Sequence, residues 1–341
     1  MQRAIDANLN RMNEGLRVLE DVARFLLNDA TLSAKLKSLR HQLAIDDLPT
    51  RASLLSARDT ARDVGAFPQE EPGPHRQDLP GIVAANARRV EESLRVLEEF
   101  AKLPEAVLES ARFKEARFAL YDIERELTGK VLRRDRSIAG LYVIIDPEVA
   151  GGKNVVDVAE KAIRGGAHLI QLRDKRHDKG GVLSRARELK ALCARCNVLF
   201  VVNDYLDIAI ASDADGLHIG PEDLPVSTAR RLLPIDKLLG RSARSIEVAR
   251  QAEADGADYV AVGSMYATGS KTDTVVVGIE RLRQIREAVS VPVVAIGGIA
   301  ADNVSEVVGA GADAVAVIGA VVAADDVEQA AHRIVERMEV E

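Results

Sequence analysis

No apolar run in this chain approaches the roughly 20 residues that a bilayer-spanning helix needs, and its start shows no charged n-region followed by an apolar h-region. Low-complexity tracts are missing as well. These absences set aside a membrane protein and a secreted one, and the expectation is a soluble, cytoplasmic chain. A massed basic surface is also lacking: 46 Lys and Arg are scattered among 53 Asp and Glu, for a net charge of −7, which argues against nucleic acid as a partner. Cysteine is scarce. Cys193 and Cys196 form a C-x-x-C at the end of an amphipathic pattern, and there is no second pair to complete a four-thiolate zinc site, so they read as ordinary helix residues.

What is present is a globular composition, 47% hydrophobic and 29% charged over 341 residues. Single domains rarely grow past about 250 to 300 residues, so two domains are expected. From Leu141 onward short apolar runs alternate with charged amphipathic segments: LYVIID, LIQLRD, LFVVND, GLHIG, LLGRS, YVAVGS, VVAIGG and AVAVIG. Eight such units predict an α/β fold, a (β/α)8 TIM barrel. The rival is a doubly wound open sheet, but no G-x-G-x-x-G follows the first run.

Residues 1–133 carry no strand pattern and predict an all-α helical domain with an internal repeat. NLNRMNEGLRVLE from Asn8 recurs as NARRVEESLRVLE from Asn86, and AKLKSLRHQL from Ala34 recurs as ARFKEARFAL from Ala111. The expected unit is a helical hairpin used twice. One apolar stripe runs through Met12, Leu16, Leu19 and Leu26, and its twin through Val90, Leu94 and Leu97. Asn8 and Glu20 fall at the margins of the first stripe, where a polar group must find a partner. The repeat breaks at His41, whose counterpart is Phe118, and between the copies lies a segment holding Asp59 and Asp63. Gly129 to Ser137 is the expected linker, with residues 134–341 as the barrel domain.

TIM-barrel chemistry sits at the C-terminal ends of the strands, and here those ends are polar. Gln171, Arg173 and Lys175 close the second strand; Asn203 and Asp204 the third; His218 leads through Gly220 to Asp223 on the fourth; Ser242 closes the fifth. The sixth opens into Thr268-Gly-Ser-Lys271-Thr-Asp. Gly297-Gly298 and Ile318-Gly319 end the last two strands, where backbone N–H groups cradle a phosphoryl group in many barrels. Glycine lets the backbone approach the oxygens. Two carboxylates beside three cations fit a hard divalent ion carrying a diphosphate.

The succession QLRDK, VVND, GLHIGPED, GRSA, the Thr268 to Lys271 loop and AIGGI resembles the motifs of the thiamine-phosphate synthase family over the whole barrel. The resemblance implies a transferase that joins hydroxymethylpyrimidine diphosphate to hydroxyethylthiazole phosphate and releases pyrophosphate, with Mg2+ as cofactor. It implies Arg173, Lys175, Ser242 and Lys271 as catalytic residues, and Gln171, Asn203, Thr268, Ser270, Gly298, Ile318 and Gly319 as substrate contacts. It also implies Asp204 and Asp223 as Mg2+ ligands. Three positions depart from the family pattern: Gly319 replaces a serine, and Ala267 and Ser270 replace a proline and a threonine. A related barrel, the thiazole tautomerase, carries a histidine base where this chain has Arg244 and does not need the diphosphate cations. The presence of those cations favours the synthase. It also argues against a non-catalytic phosphate-sensing barrel with a helical dimerisation domain.

The N-terminal segments IDANLNRMNEGLRVLEDVARF, SLRHQL and RDTARDVG resemble a domain fused ahead of such barrels and proposed as a hydroxymethylpyrimidine-phosphate kinase. That resemblance implies phosphorylation of the monophosphate, with ATP as a candidate donor, although neither a Walker A loop nor an H-R-D signature is present. Arg40, His41, Asp59 and Asp63 are the candidate residues there. The competing reading is a helical docking module, and homo-oligomerisation is left open.

Overall fold

The protein is described here from a computed structural model that covers residues 1–45, 47–58, 78–104, 106, 108–267 and 276–339. It separates into two compact units, Met1–Arg134 and Asp135–Glu341. Among the described residues no helix is long and apolar enough to cross a membrane.

The first unit is helical: α1 (Gln2–Asp21), α2 (Ala30–Gln42), α3 (Leu48–Ser56), α4 (Leu79–Phe100) and α5 (Ser110–Arg133). Asp29, Asp47 and Asp78 start α2, α3 and α4, each accepting the backbone N–H three residues on and so satisfying a donor with no partner inside the helix. Met12, Leu16 and Leu19 pack against Val90, Leu94 and Leu97 in one core, all six fully buried. The two copies of the sequence pattern make matching polar contacts. The amides of Asn8 and Asn86 each donate to the carbonyl four residues earlier, both at 2.8 Å. Buried Glu20 accepts from Arg40 at 3.0 Å, and buried Glu98 accepts from Arg117 at 3.1 Å.

Two expectations for this unit need correction. Leu26 does not continue the stripe. A π-helical turn over Val22–Leu26, closed by the Leu27 N–H on the Val22 carbonyl, inserts an extra residue into the helix and leaves Leu26 exposed. Gly129 does not open the linker either. Leu127 and Val131 keep the apolar spacing of α5, both are buried, and the helix runs on to Arg133.

The second unit is a closed barrel of eight parallel strands in sequence order: β1 (Gly140–Ile145), β2 (Ala167–Leu172), β3 (Leu199–Asn203), β4 (Gly216–Ile219), β5 (Leu238–Ala243), β6 (Tyr259–Gly263), β7 (Val293–Ile296) and β8 (Ala314–Val317). Helices follow the strands, from α6 (Val155–Arg164) and α7 (Lys179–Cys196) to a last helix over Val327–Glu339. The strands read as apolar runs because both faces are buried. Along β1, Leu141, Val143 and Ile145 join the layer beneath the helices, while Tyr142 and Ile144 join the barrel interior with Leu169, Val201 and Tyr259. Cys193 is buried near the end of α7, where loss of solvent pushes its thiol up to about 12, and Cys196 is exposed; neither is in a disulfide.

The N-terminal rim is pinned by a recurring device. Asp215, Asp258 and Asp313 precede β4, β6 and β8, and each accepts the N–H of a residue that opens the neighbouring odd strand: Phe200 at 3.0 Å, Leu239 at 2.8 Å and Val293 at 2.7 Å. Each carboxylate also meets a cation, from Lys190, Arg230 and Arg286 respectively. These aspartates satisfy strand-edge donors at the face that serves stability.

Gly240 on β5 makes room for the Tyr259 ring. A methyl group at Gly240 would lie 2.0 Å from Cζ of Tyr259, whereas one at Gly319 would meet nothing within 4 Å. Gly240→Ala is therefore expected to destabilise the barrel by about 1 to 3 kcal/mol through overpacking. Gly319→Ser should stay within about 0.5 kcal/mol of the parent. Urea unfolding of both variants checks the contrast.

Candidate active site

Because all eight strands run the same way round a closed barrel, their C-terminal ends share one mouth, and the polar strand ends read from the sequence gather there. Asp204 follows β3 directly, and its backbone adopts a left-handed conformation, φ 64°, with its N–H on the His218 carbonyl at 2.8 Å. Asp223 follows β4 and accepts the Gly220 N–H at 2.6 Å. The two carboxyls lie within hydrogen-bonding reach of each other. Burial and the Asp204 carboxyl hold the Asp223 carboxyl above the usual range, although the Gly220 N–H and Lys175 pull the other way.

Two of the three expected diphosphate cations, Arg173 and Lys175, are occupied internally. Lys175 pairs with Asp204, and Arg173 pairs with buried Asp146 at the end of β1. Asp146 is a residue the sequence reading passed over, although LYVIID carries it at the same strand-end position as the polar residues of later strands. Arg241 on β5 is another: its guanidinium donates to the Gly220 carbonyl, and its charge faces Asp223.

Gln171 is buried inside the barrel, and its Nε2 donates to the Tyr142 hydroxyl at 2.7 Å. That hydroxyl lies 3.1 Å from the hydroxyl of Tyr259, which lies 3.2 Å from Nδ1 of His218; Nε2 of His218 is 3.0 Å from Oγ of Ser242. The His218 ring also stacks on Tyr259. Desolvation pushes both tyrosine hydroxyls up, so they stay protonated. Gln171 and Ser242 were singled out in the sequence and His218 was read at the end of the fourth strand without a role, whereas the tyrosines between them were not noticed. A tyrosine inside an apolar strand gives no sign of which strand it faces.

Asn203 closes β3, in register with His218. Gly297 and Gly298 adopt φ of 102° and 70°, conformations that side chains rarely take. A methyl at Gly298 would press on Cβ of Tyr266 and the carbonyl of Ala267, both at 2.8 Å. The turn is fixed by the Asn303 amide, which donates to the Gly298 carbonyl at 3.0 Å. Ile318 and Gly319 follow β8 and open the short helix Gly319–Val322, whose first N–H groups lack partners within the helix. Thr268, Ser270 and Lys271 lie outside the described residues, as do Asp59 and Asp63 of the first unit.

In the first unit, Arg40 is taken up by buried Glu20 and His41 is exposed. A cluster the sequence did not point to lies between α4 and α5. There Glu91 faces Glu124, and burial together with that second carboxyl pushes Glu91 up to about 7. Among the described residues no group of three or more His, Cys, Asp or Glu is placed to hold a metal ion. The Asp204–Asp223 pair brings together two carboxylates.

A family model described as thiamine monophosphate synthase matches residues 141–321, and the model of the ThiD2 family matches residues 3–126. The chain belongs to the thiamine-phosphate synthase family. It is 40% identical to thiamine-phosphate synthase of Thermosynechococcus vestitus over 99% of this chain and 95% of that one. Against thiamine-phosphate synthase of a Synechocystis species it is 39% identical over 98% and 96%. Both alignments run through the helical unit as well as the barrel. Among solved structures, a thiamine phosphate pyrophosphorylase from Pyrococcus furiosus aligns at TM-score 0.55 and 41% identity, covering 59% of this chain and 96% of that one. Membership makes the chain a transferase of thiamine biosynthesis.

The pair of aspartates has a measurable pH signature. Asp223 has a raised carboxyl in the folded chain, so its contribution to stability is fully present below the unfolded value of about 3.9 and is lost as pH rises through its raised value. Asp223→Asn keeps an acceptor for the Gly220 N–H and removes the charge. In a chelator-containing buffer the variant should match the parent in acid and become the more stable of the two as pH rises above that window. Urea unfolding at stepped pH checks this, and a gap that does not grow with pH would contradict it.

Proposed function

We propose that the mouth of the barrel carries the synthase reaction with Asp204 and Asp223 as Mg2+ ligands and with Arg173, Lys175 and Lys271 as the cations of the diphosphate. The observation that carries this reading is the incompletely compensated carboxyl pair. Two carboxyls in contact, one held above its usual range, form a donor set that a hard divalent cation with phosphate oxygens completes. When bound, Mg2+ would supply neutralisation of the charge that grows on the departing pyrophosphate.

The chain's own residues do the rest. Lys175 exchanges Asp204, and Arg173 exchanges Asp146, for diphosphate oxygens, so cations already gathered at the mouth turn to the leaving group. Gln171 and Asn203 orient the aminopyrimidine, and Ser242, Thr268 and Ser270 line the reacting atoms. The Gly298 turn and the backbone of Ile318 and Gly319 hold the thiazole phosphate. The bond between the pyrimidine methylene and the diphosphate oxygen breaks with its electrons leaving on pyrophosphate. The electron-rich aminopyrimidine spreads the positive charge, and the thiazole nitrogen lone pair closes on the carbon. No side-chain nucleophile is needed.

For the helical unit the proposal is phosphorylation of hydroxymethylpyrimidine phosphate to the diphosphate with ATP as donor. The ThiD2 family match over residues 3–126 and the barrel's need for that diphosphate support it. Arg40, which pairs with Glu20, and His41, Asp59 and Asp63 are its candidate residues.

Asp204→Ala and Asp223→Ala should each lower turnover about 10²-fold. Lys271→Ala should lower kcat by roughly 10² to 10³ with little change in the KM for thiazole phosphate, and a change confined to that KM would misassign the two phosphate sites. In the full chain, hydroxymethylpyrimidine phosphate with thiazole phosphate, ATP and Mg2+ should yield thiamine phosphate, and omission of ATP should abolish it. Product that forms only from the supplied diphosphate would remove the kinase proposal and leave the synthase intact.

A further inference from the structure

The five side chains from Gln171 to Ser242 form a chain of hydrogen bonds whose direction follows from its first member. An amide nitrogen only donates, so the Tyr142 hydroxyl accepts from Gln171 Nε2 at 2.7 Å and its own hydrogen must go elsewhere. Its other partner is the Tyr259 oxygen at 3.1 Å. With Tyr259 accepting there, its hydrogen turns to Nδ1 of His218 at 3.2 Å, and that nitrogen must be bare to accept it. A neutral imidazole then carries its hydrogen on Nε2, where it meets Ser242 Oγ at 3.0 Å. The serine oxygen receives that bond, and its own hydrogen is left to point out of the network.

The surroundings suit such a fixed direction. Tyr142 and Tyr259 are fully buried, so water does not compete for their hydroxyls, and Gly240 leaves the space in which the Tyr259 ring lies between them and His218. The chain starts on β2, passes through β1, β6 and β4, and ends on β5. It therefore ties together five strands across the interior.

We propose that Gln171, acting through Tyr142 and Tyr259, holds His218 in the tautomer with its hydrogen on Nε2 and thereby commits the Ser242 hydroxyl to donating toward an anionic oxygen of the diphosphate. His218 and the two tyrosines are positioning residues in this arrangement. A serine so committed favours a group that only accepts, as a phosphate oxygen does, over an amine or hydroxyl donor. The last link rests on the proposed placement of Ser242 beside the reacting groups; the tautomer does not.

The test reads the two separately. In the full chain labelled with 15N-histidine and free of substrate, at a pH about two units above the ordinary imidazole value of about 6.5, two-bond 1H–15N correlations identify the tautomer. His218→Gln assigns the signals. Nδ1 of His218 should show the shift of a bare nitrogen and Nε2 that of a protonated one. In Tyr142→Phe the Tyr259 hydroxyl is free to accept as well as donate, and the pattern should move toward a mixture of tautomers. Tyr259→Phe, which removes the donor itself, should do the same and serves if the first variant does not fold. Tyr142→Phe should lower kcat about ten-fold with the KM values within about two-fold. Combined with Ser242→Ala it should be no slower than Ser242→Ala alone, because both act on one hydrogen bond. A hydrogen on Nδ1 in the parent, an unchanged tautomer in both tyrosine variants, or additive losses would overturn the proposal. If the tautomer behaves as expected while Ser242→Ala turns over normally, the placement of Ser242 in the site is what fails, and the link to the diphosphate falls with it.

Discussion

Two carboxyls pressed together at the ends of neighbouring strands are the constraint around which the mouth of this barrel is arranged. Asp204 and Asp223 come from β3 and β4, and the pairing of those strands brings them into reach of one another. Left alone, such a pair resists ionisation, because each charge raises the cost of the other. The surroundings lower that cost in part, through Lys175 on Asp204 and the Gly220 N–H on Asp223, and the shift of Asp223 shows that the compensation is incomplete. Under the proposed function a divalent cation completes it, and Lys175 and Arg173 exchange their ion pairs with Asp204 and Asp146 for diphosphate oxygens.

The rest of the barrel keeps that mouth rigid. At the far rim, aspartates ahead of β4, β6 and β8 accept N–H groups near the starts of β3, β5 and β7. In the interior, a buried chain of hydrogen bonds spans five strands and ends on Ser242. A buried network of this kind stabilises only when its members are satisfied, and this one has a partner at each link. The proposed chemistry of the departing pyrophosphate is thus assigned to strand ends, where backbone positions are well determined.

The barrel was legible because its strands are buried on both faces, so each appears as an apolar run that ends in polar residues. Gln171, Arg173, Asp204, Asp223 and Ser242 were found by reading those ends. Asp146 was passed over because the first strand was read for its apolar run alone. The tyrosines were hidden for a different reason, and His218 was read at its strand end without its partners: whether Tyr142 meets Tyr259 depends on which strands face each other across a closed barrel, and periodicity within a strand does not carry that. In the helical unit the apolar stripes fixed the packing of α1 against α4, and the marginal positions of Asn8 and Glu20 did mark buried polar groups. Asn8 finds its partner in its own helix and Glu20 in Arg40 of α2. Leu26 and Gly129 were misread because a π turn and a glycine inside a well-packed helix both break a simple pattern.

The central claim, that paired aspartates and a ring of cations stabilise a departing pyrophosphate, is tested most directly by single-turnover pyrophosphate release. The full chain is mixed with hydroxymethylpyrimidine diphosphate and thiazole phosphate, with Mg2+ or with a chelator. The account predicts about one equivalent of pyrophosphate per chain with Mg2+, matched by thiamine phosphate, and a loss of at least about 10²-fold in rate with the chelator. Release at the same rate in the chelator would contradict it.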